Sequence, residues 1–598
     1  MIAPRYLNLL PSLLLLTIVG AGIAGQLSVN LGAHLIAVTA TLIAVGWGLD
    51  KRQEAPIPIA LALLLPVWMI GTGFLHADGD LLAFGAKSLS ALVAAVLVAR
   101  VATLTLFWYV LAGIVVAQLP WVVGQAMSAD PNDFVRGWFL DSNSLAAFAS
   151  LAAFGLLAST QRLSKWHALT LLLVVVVWLG PMSKGAILAL LGLGWMALVA
   201  WSMERTNSRT IKVAAWSGPV ILVGGGTAFF WESLAKIAAS PSIQDRIGMW
   251  GSSWSMYLDG NLLLGRGLGS WGQLYPSYRT VRDTESAGTF AHSDFVQFLV
   301  EGGPVALVLY TLITGFVIAR LFSGMRTSWR EKRVTSETYA VAGVAVFLVH
   351  STVNFLVITP ALTVGVGALL GLALQNHKGR VLTLPVKSAI GLIVVAAFAL
   401  HAWHIGAHLS RAATSSPNSW PAQVLPMLQS DAVISYFAKP GHPLLFSFTA
   451  RADLSFRYVQ LASTYTDAQQ AESGVSRRQL AETSLAILRK EDWPESKELA
   501  RQLLEATLLG AMVESRLLPA DDANSARLIA LVNDAEKSAP YHVMAVRAKA
   551  EALRLVRGCP ASIEYRKQMI EKLPVYVWKK RLSHEMATGK CGGPSVQR

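Results

Sequence analysis

What most constrains this chain is the recurrence of apolar runs close to the length of a bilayer crossing. A helix needs about 20 predominantly apolar residues to span a hydrocarbon core. Runs near that size lie at 7–25, 31–49, 57–75, 82–100, 103–123, 143–160, 166–182, 185–203, 213–231, 295–320, 337–358, 360–376 and 387–404. With 54% hydrophobic and 14% charged residues in 598, and a mean hydropathy of +0.48, an ordinary soluble fold is excluded. Lipid offers the backbone no hydrogen-bond partner, so these runs are expected to be helices. The expected fold class is an all-α polytopic membrane protein with roughly 12–13 transmembrane helices. The first run, behind Arg5, is expected to stay as a span and not be cleaved as a signal peptide, because no soluble domain follows it.

The formal charge of +14 invites nucleic acid as a partner, but its distribution argues against that. Threading the spans in order puts the cations in alternate loops. Lys51 and Arg52, Arg100, Arg162 and Lys165, Arg205, Arg209 and Lys212, Arg326 to Arg333, and Lys378, Arg380 and Lys387 share one side. The positive-inside rule makes that side cytoplasmic. The long loops at 124–142 and 232–294 are then extracytoplasmic, as is everything after 404. Two domains are expected: a membrane domain at 1–404, with its large periplasmic loop at 232–294, and a soluble helical domain at 405–598. The second opens with the Pro/Ser-rich stretch SSPNSWPAQVLP from Ser415 and continues in amphipathic runs such as ESKELARQLLEATLLGAMVESR. Paired helices of tetratricopeptide type would fit it, although no clean 34-residue period is visible. Cys559 and Cys591 both fall there. In an oxidising compartment they could pair, for roughly 3 kcal/mol, or remain two free thiols.

Between the apolar runs lies a polar island, residues 246–303. His292, just before a span, could act as a general base toward a hydroxyl or hydrogen-bond a phosphate when protonated. Its bland alternative is an interfacial histidine without a partner. Ser293, Asp294, Gln297 and Glu301 continue as a polar stripe. Arg246 shares a helical face with Trp250 and Trp254 and offers a planar fork for phosphate oxygens, unless it merely pairs with Asp245. The glycine-rich stretch Gly265-Arg266-Gly267-Leu268-Gly269 resembles a phosphate cradle, but no strand precedes it. Lys184 opens a helix, where free amides and the dipole favour an anion. Arg136 precedes the segment 137–143, in which Asp141 or Asn143 would cap the next helix. His350 and Asn354 sit one turn apart and suggest a cavity wall or an interhelical hydrogen bond. No metal-ligand spacing and no cofactor motif occurs.

Four segments, in order, resemble the superfamily of O-antigen ligases and O-antigen polymerases, the resemblance covering roughly 130–360. GWFLDSNSLAAF (137–148) is similar to its glycine–aromatic–Asp–x–Asn–x–x–Ala segment, and SKGA (183–186) to its Ser-Arg-Gly. Arg246 with Trp250 and the GRGLG loop resembles its large periplasmic loop, and AHSDFVQFLVEGG (291–303) its histidine motif. The resemblance implies a GT-C-like fold and an inverting, metal-independent transfer with no cofactor. A glycan on undecaprenyl pyrophosphate would pass to an acceptor hydroxyl at the periplasmic face of the inner membrane, in surface-polysaccharide biosynthesis. His292 would serve as the catalytic or acceptor-activating residue, while Arg246 would hold the pyrophosphate. Lys184 stands where the family has arginine, keeping the charge and losing the bidentate fork. Arg266, Arg279 and Arg282 rank next as anion ligands, with Arg136, Asn143 and His350 as further substrate contacts. Expected partners are the lipid-linked glycan, lipid A–core or a growing glycan as acceptor, and membrane lipids, with no nucleic acid.

Two alternatives are set against this reading. A protein O-oligosaccharyltransferase is weakly disfavoured by Asp141-Ser142-Asn143, where such relatives carry Gln-x-Asn, while the long helical tail, commoner among polymerase-like and protein-modifying members, pulls the other way. A transporter for the same lipid-linked glycan would need two symmetric halves with broken helices, and no internal symmetry is visible.

Overall fold

The computed structural model describes residues 9–27, 31–51, 54–55, 57–75, 79–128, 135–139, 141–160, 164–181, 183–213, 241–280, 290–357, 359–375, 380–383, 385–396, 476–489, 495–540 and 542–572, together with isolated positions in 215–217, 455–474 and 583–591. The expected span at 213–231, the loop residue Arg282 and the Ser415 stretch fall largely or wholly outside them.

Twelve of the thirteen expected spans coincide with helices among the described residues. These are α1 (Leu10–Leu27), α2 (Leu31–Asp50), α3 (Ile57–Leu75), α4 (Gly79–Ala99), α5 (Thr105–Ala117) continuing into α6 (Leu119–Ala126), α7 (Ser142–Ser159), α8 (Lys165–Leu179) and α9 (Lys184–Arg205). After the amphipathic α10 (Pro241–Leu258) and the short α11 (Trp271–Tyr278) come α12 (Asp294–Glu331), α13 (Ser336–Ser351), α14 (Pro360–Ala373) and α15 (Pro385–Ala396). Four stretches are long and apolar enough to cross a membrane by themselves: Thr105–Ala126, Ser142–Ser159, Lys184–Arg205 and Asp294–Glu331. The tail contributes α16 (Arg477–Leu488), α17 (Glu495–Glu514), α18 (Asp522–Ser538), α19 (Val543–Arg557) and α20 (Cys559–Lys572). Two two-residue strands, β1 (Glu54–Ala55) and β2 (Arg380–Val381), pair antiparallel.

Burial divides the bundle. Along α4 and α14 nearly every described side chain is buried, and along α7 and α13 most are, as expected of helices apolar all round. Glycines permit the closest of these contacts. A Cβ at Gly371 would stand 2.6 Å from the Ala99 Cβ, and one at Gly367 3.0 Å from the Ala95 Cβ, so α14 lies almost backbone to backbone on α4. At the periphery α8 and α9 expose Leu169, Leu172, Leu188 and Leu191, the pattern of a lipid-facing surface.

The cation-bearing loops gather at one end. Lys387 donates to the Leu49 and Lys51 carbonyls, at 2.6 and 2.9 Å, beside the β1–β2 pair. Arg326 near the end of α12 pairs with Glu204 near the end of α9 at 2.6 Å. Because α13 and α14 are joined by a short connection and pack together, the start of α13 lies at the same end as the close of α14.

In the tail, α17, α18, α19 and α20 pack each against the next, around Leu509, Met512, Leu531 and Val532. Glu505, fully buried, is bridged by Arg489, Arg501 and Arg527 at 2.8, 2.9 and 3.1 Å. Cys559 and Cys591 form a disulfide, which settles the alternative that the sequence leaves open.

Candidate active site

At the end of the bundle opposite the cations, the N-termini of α7, α9 and α12 meet the C-terminus of α13. Asp141 caps α7 through the Ser144 amide, Ser183 caps α9 through Ala186, and Ser293 caps α12 through Val296. Three helix dipoles therefore direct their positive ends at one region.

Hydrogen bonds then join segments far apart in sequence. The Ser183 hydroxyl donates to Asn143 Oδ1 at 2.8 Å and lies 3.2 Å from His350 Nε2. Both Ser183 and His350 are buried. The approach requires a glycine next to the serine: a Cβ at Gly185 would stand 2.6 Å from both Asn354 Nδ2 and His350 Cδ2. Of the two readings of His350 and Asn354, the interhelical hydrogen bond is the one realised.

α13 ends at Ser351, seven residues before the expected end of that apolar run at 358. Asp294, at the first turn of α12, accepts from the Leu356 and Val357 amides at 3.1 and 3.2 Å, and its own amide donates to the Asn354 carbonyl. With those groups engaged, the chain cannot continue as a helix before Pro360 opens α14. Phe355 is thereby brought against Phe290 as a stacked ring and against the His292 imidazole edge-on, 4.9 Å between centroids.

His292 is held from both sides. The Ala291 carbonyl accepts from Trp250 Nε1 at 2.9 Å, its amide donates to Gln297 Oε1, and the Ser293 carbonyl accepts from the Gln297 amide. The backbone at His292 is left-handed, φ 49°, a conformation costly for a side chain other than Gly, Asn or Asp. Its Nδ1 is buried and meets no hydrogen-bond partner among the described residues. Burial first, and then the Arg246 charge, push the imidazole down from 6.5 to about 4. It is neutral near pH 7, which favours the base over the protonated phosphate donor.

Arg246 lies half-buried on α10. It makes no hydrogen bond or ion pair with any described residue, and the pairing with Asp245 is not formed; Asp245 acts instead on Arg279. Burial pulls the Arg246 guanidinium below its ordinary value, yet it acts electrostatically on both His292 and His350. A desolvated cation that acts on two imidazoles and has no partner among the described residues is suited to an anion.

The polar stripe and the glycine loop have a different role. Within α12, Gly303 departs from helical geometry (φ 68°, ψ −170°) and Pro304 has no amide. Each carbonyl so released is met from outside: Val300 by the Arg266 amide at 2.7 Å, Glu301 by Gly267 at 2.9 Å, and Gly302 by Trp68 Nε1 at 2.7 Å. The GRGLG amides that could cradle a phosphate are thus turned to α12, a correction to the resemblance read from its glycines. Arg266 donates through Nε to the Met256 carbonyl and through Nη2 to the Tyr278 hydroxyl, holding the loop. Buried Glu301 accepts from the Trp271 amide and Gln297, fixing the start of α11.

The remaining candidates scatter. Lys184 is exposed at the first turn of α9. Arg136 is exposed, while its amide and that of Gly137 donate to Gln125. Arg279 lies over the Tyr275 ring, 5.2 Å from its centroid. Phe355 carries no charge and is not singled out from the sequence, and Ser183 enters it only as the first residue of the SKGA segment. A serine preceding Lys-Gly is the signal that could have found Ser183. Among the described residues, no three His, Cys, Asp or Glu side chains cluster as metal ligands would.

Residues 142–311 match the family model described as O-antigen ligase. That segment is similar to the O-antigen ligase superfamily. The O-antigen ligase match begins on α7 next to the Asp141 cap and ends in α12 beyond the kink, so it takes in Asn143, Ser183, Arg246 and His292. His350, Asn354 and Phe355 complete the same site from outside it. No curated protein and no solved structure matches the chain. The O-antigen ligase match supports a membrane glycan-transfer function in general terms.

Proposed function

We propose that the protein transfers a glycan from undecaprenyl pyrophosphate to the hydroxyl of lipid A–core or of a growing glycan, with inversion and without a metal, on the periplasmic side of a bacterial inner membrane. The observation that carries this reading is the half-buried Arg246, without a hydrogen-bond or ion-pair partner among the described residues, acting on a neutral His292 whose buried Nδ1 also has none among them. Arg246 holds the pyrophosphate. The imidazole of His292 takes the acceptor's proton as its oxygen bonds to the anomeric carbon, and the bond from that carbon to the pyrophosphate breaks with its electron pair. Negative charge grows on the leaving group where the guanidinium and the helix N-termini face it, the kind of stabilisation that contributes most in such reactions. The donor's own charge offsets that of Arg246, so donor binding raises the basicity of His292. Lys184 supplies further positive charge at the mouth of α9. The orientation draws support from the cations gathered at the opposite end and from the disulfide of the tail.

Protein reconstituted in lipid nanodiscs with an undecaprenyl-pyrophosphate glycan and either acceptor is the direct test, products being read by mass spectrometry. Glycan joined to lipid A–core, or longer lipid-linked chains, is the expected result. Donor bound and unchanged with both acceptors would overturn the reading and move the acceptor to a protein.

A further inference from the structure

At the basic end, far from His292, a cavity of about 620 Å³ opens between α9, α12 and α13. Its volume lies within the range of roughly 300–1,000 Å³ typical of small-molecule sites. Leu190, Leu193, Met325 and Tyr339 give it an apolar interior, and no carboxylate lines it. Gly194 widens it: a Cβ added there meets nothing within 4 Å. The wall is fixed by Trp329, whose Nε1 donates to the Ala197 carbonyl at 3.1 Å.

Three cations, Arg205, Lys332 and Arg333, stand at the cavity. None of their side chains has an ion-pair or hydrogen-bonding partner among the described residues, whereas the neighbouring carboxylates Glu204 and Glu337 are taken by Arg326 and Arg320. Apolar volume that faces lipid, with uncompensated positive charge at one end, matches an amphiphile with an anionic head. We infer that this cavity is a binding site for an anionic phospholipid of the leaflet at the basic end, one acyl chain lying along Gly194 and the phosphate held by Arg205, Lys332 and Arg333. Juxtamembrane cations recognise anionic headgroups in this manner. The inference rests on the membrane reading and not on the transfer reaction, so either can fail alone.

Native mass spectrometry of the full-length protein, with phosphatidylglycerol, phosphatidylcholine or glycerol 3-phosphate added, tests it. One phosphatidylglycerol should be retained per chain in preference to phosphatidylcholine. Each cation removed should weaken it about fivefold, the equivalent of about 1 kcal/mol per charge, and Arg205→Gln/Lys332→Asn/Arg333→Gln together should erase the preference; asparagine suits the left-handed backbone at 332. Gly194→Leu, which fills the cavity and leaves the cations in place, should release the lipid. Arg209→Gln/Lys212→Gln, cations at the same end that do not line the cavity, should change nothing. Retention of the preference by the triple variant, unchanged binding by Gly194→Leu, or equal retention of glycerol 3-phosphate would overturn the site.

Discussion

His292 and Arg246 are the two side chains on which the proposed chemistry turns, and neither anchors the fold. Replacing either by Ala should cut transfer by on the order of a hundredfold or more, with folding and insertion unchanged in size-exclusion and thermal-melt profiles. Arg246→Lys should recover only part, because an ammonium lacks the bidentate fork. The pH dependence follows from the depressed imidazole. The unfolded chain takes up the His292 proton near 6.5 and the folded one only near 4, so the folded state binds fewer protons between those values. The stability linked to His292 is full above 6.5 and falls as pH drops toward 4; His292→Asn should flatten that part of a melting-temperature profile. His542, likewise pushed down to about 4 by burial and then by Arg279, contributes to the same slope. Sequence alone singles out the charged side chains, since a cation in an apolar chain stands out. It assigns Ser183 no role beyond its place in SKGA, because that role depends on a histidine 167 positions away. Asp294 and Glu301 were visible as a polar stripe, but their accepting of backbone amides was not, because those amides come from loops remote in the chain.

Among the elements, the connections between helices decide the site. The apolar periodicity marks α12 and α13 well, yet the kink at Gly303 and the early end of α13 depend on donors and acceptors that no local pattern contains. Gly303→Ala places a Cβ 2.2 Å from the Leu263 carbonyl oxygen, in a left-handed backbone. It should destabilise the protein by about 2–4 kcal/mol, the sum of the conformational and overpacking terms, measurable by thermal melting. Gly185→Ala drives α9 from His350 and should cost about 1–3 kcal/mol, together with a loss of transfer larger than the loss of folded protein. Its readout is specific activity per folded molecule; activity that merely tracks stability would count against a role for His350. In the GRGLG loop the glycines signal the backbone, with positive φ at Gly265, Gly267 and Gly269, and close approach to α12. They do not signal a ligand, which is how the cradle resemblance arose.

Taken whole, the protein joins an apolar bundle to a helical tail that reaches the site's periphery. α11, fixed by Glu301 on one side, packs against α17 of the tail on the other. The tail has its own polar centre. Burial opposes charge on Glu505, yet Arg527 and Arg489 hold its carboxyl below the usual range, so its contribution is present above pH 4.5 and lost as the pH falls further. Glu505→Ala takes the shared carboxylate from Arg489 and Arg527 and leaves Arg501 with Glu498 alone, and it should destabilise the tail by about 3–5 kcal/mol, seen as faster hydrogen exchange in α17 and α18. If the tail braces the loop, exchange in α11 should rise with it.

The left-handed backbone at His292 has one more consequence. Asparagine tolerates that conformation better than histidine does, and it would remove an imidazole whose Nδ1 is buried without a partner. His292→Asn should therefore melt at a higher temperature than the native chain while failing to transfer glycan. A residue whose loss makes a protein sturdier and idle is one kept by selection for work and not for shape.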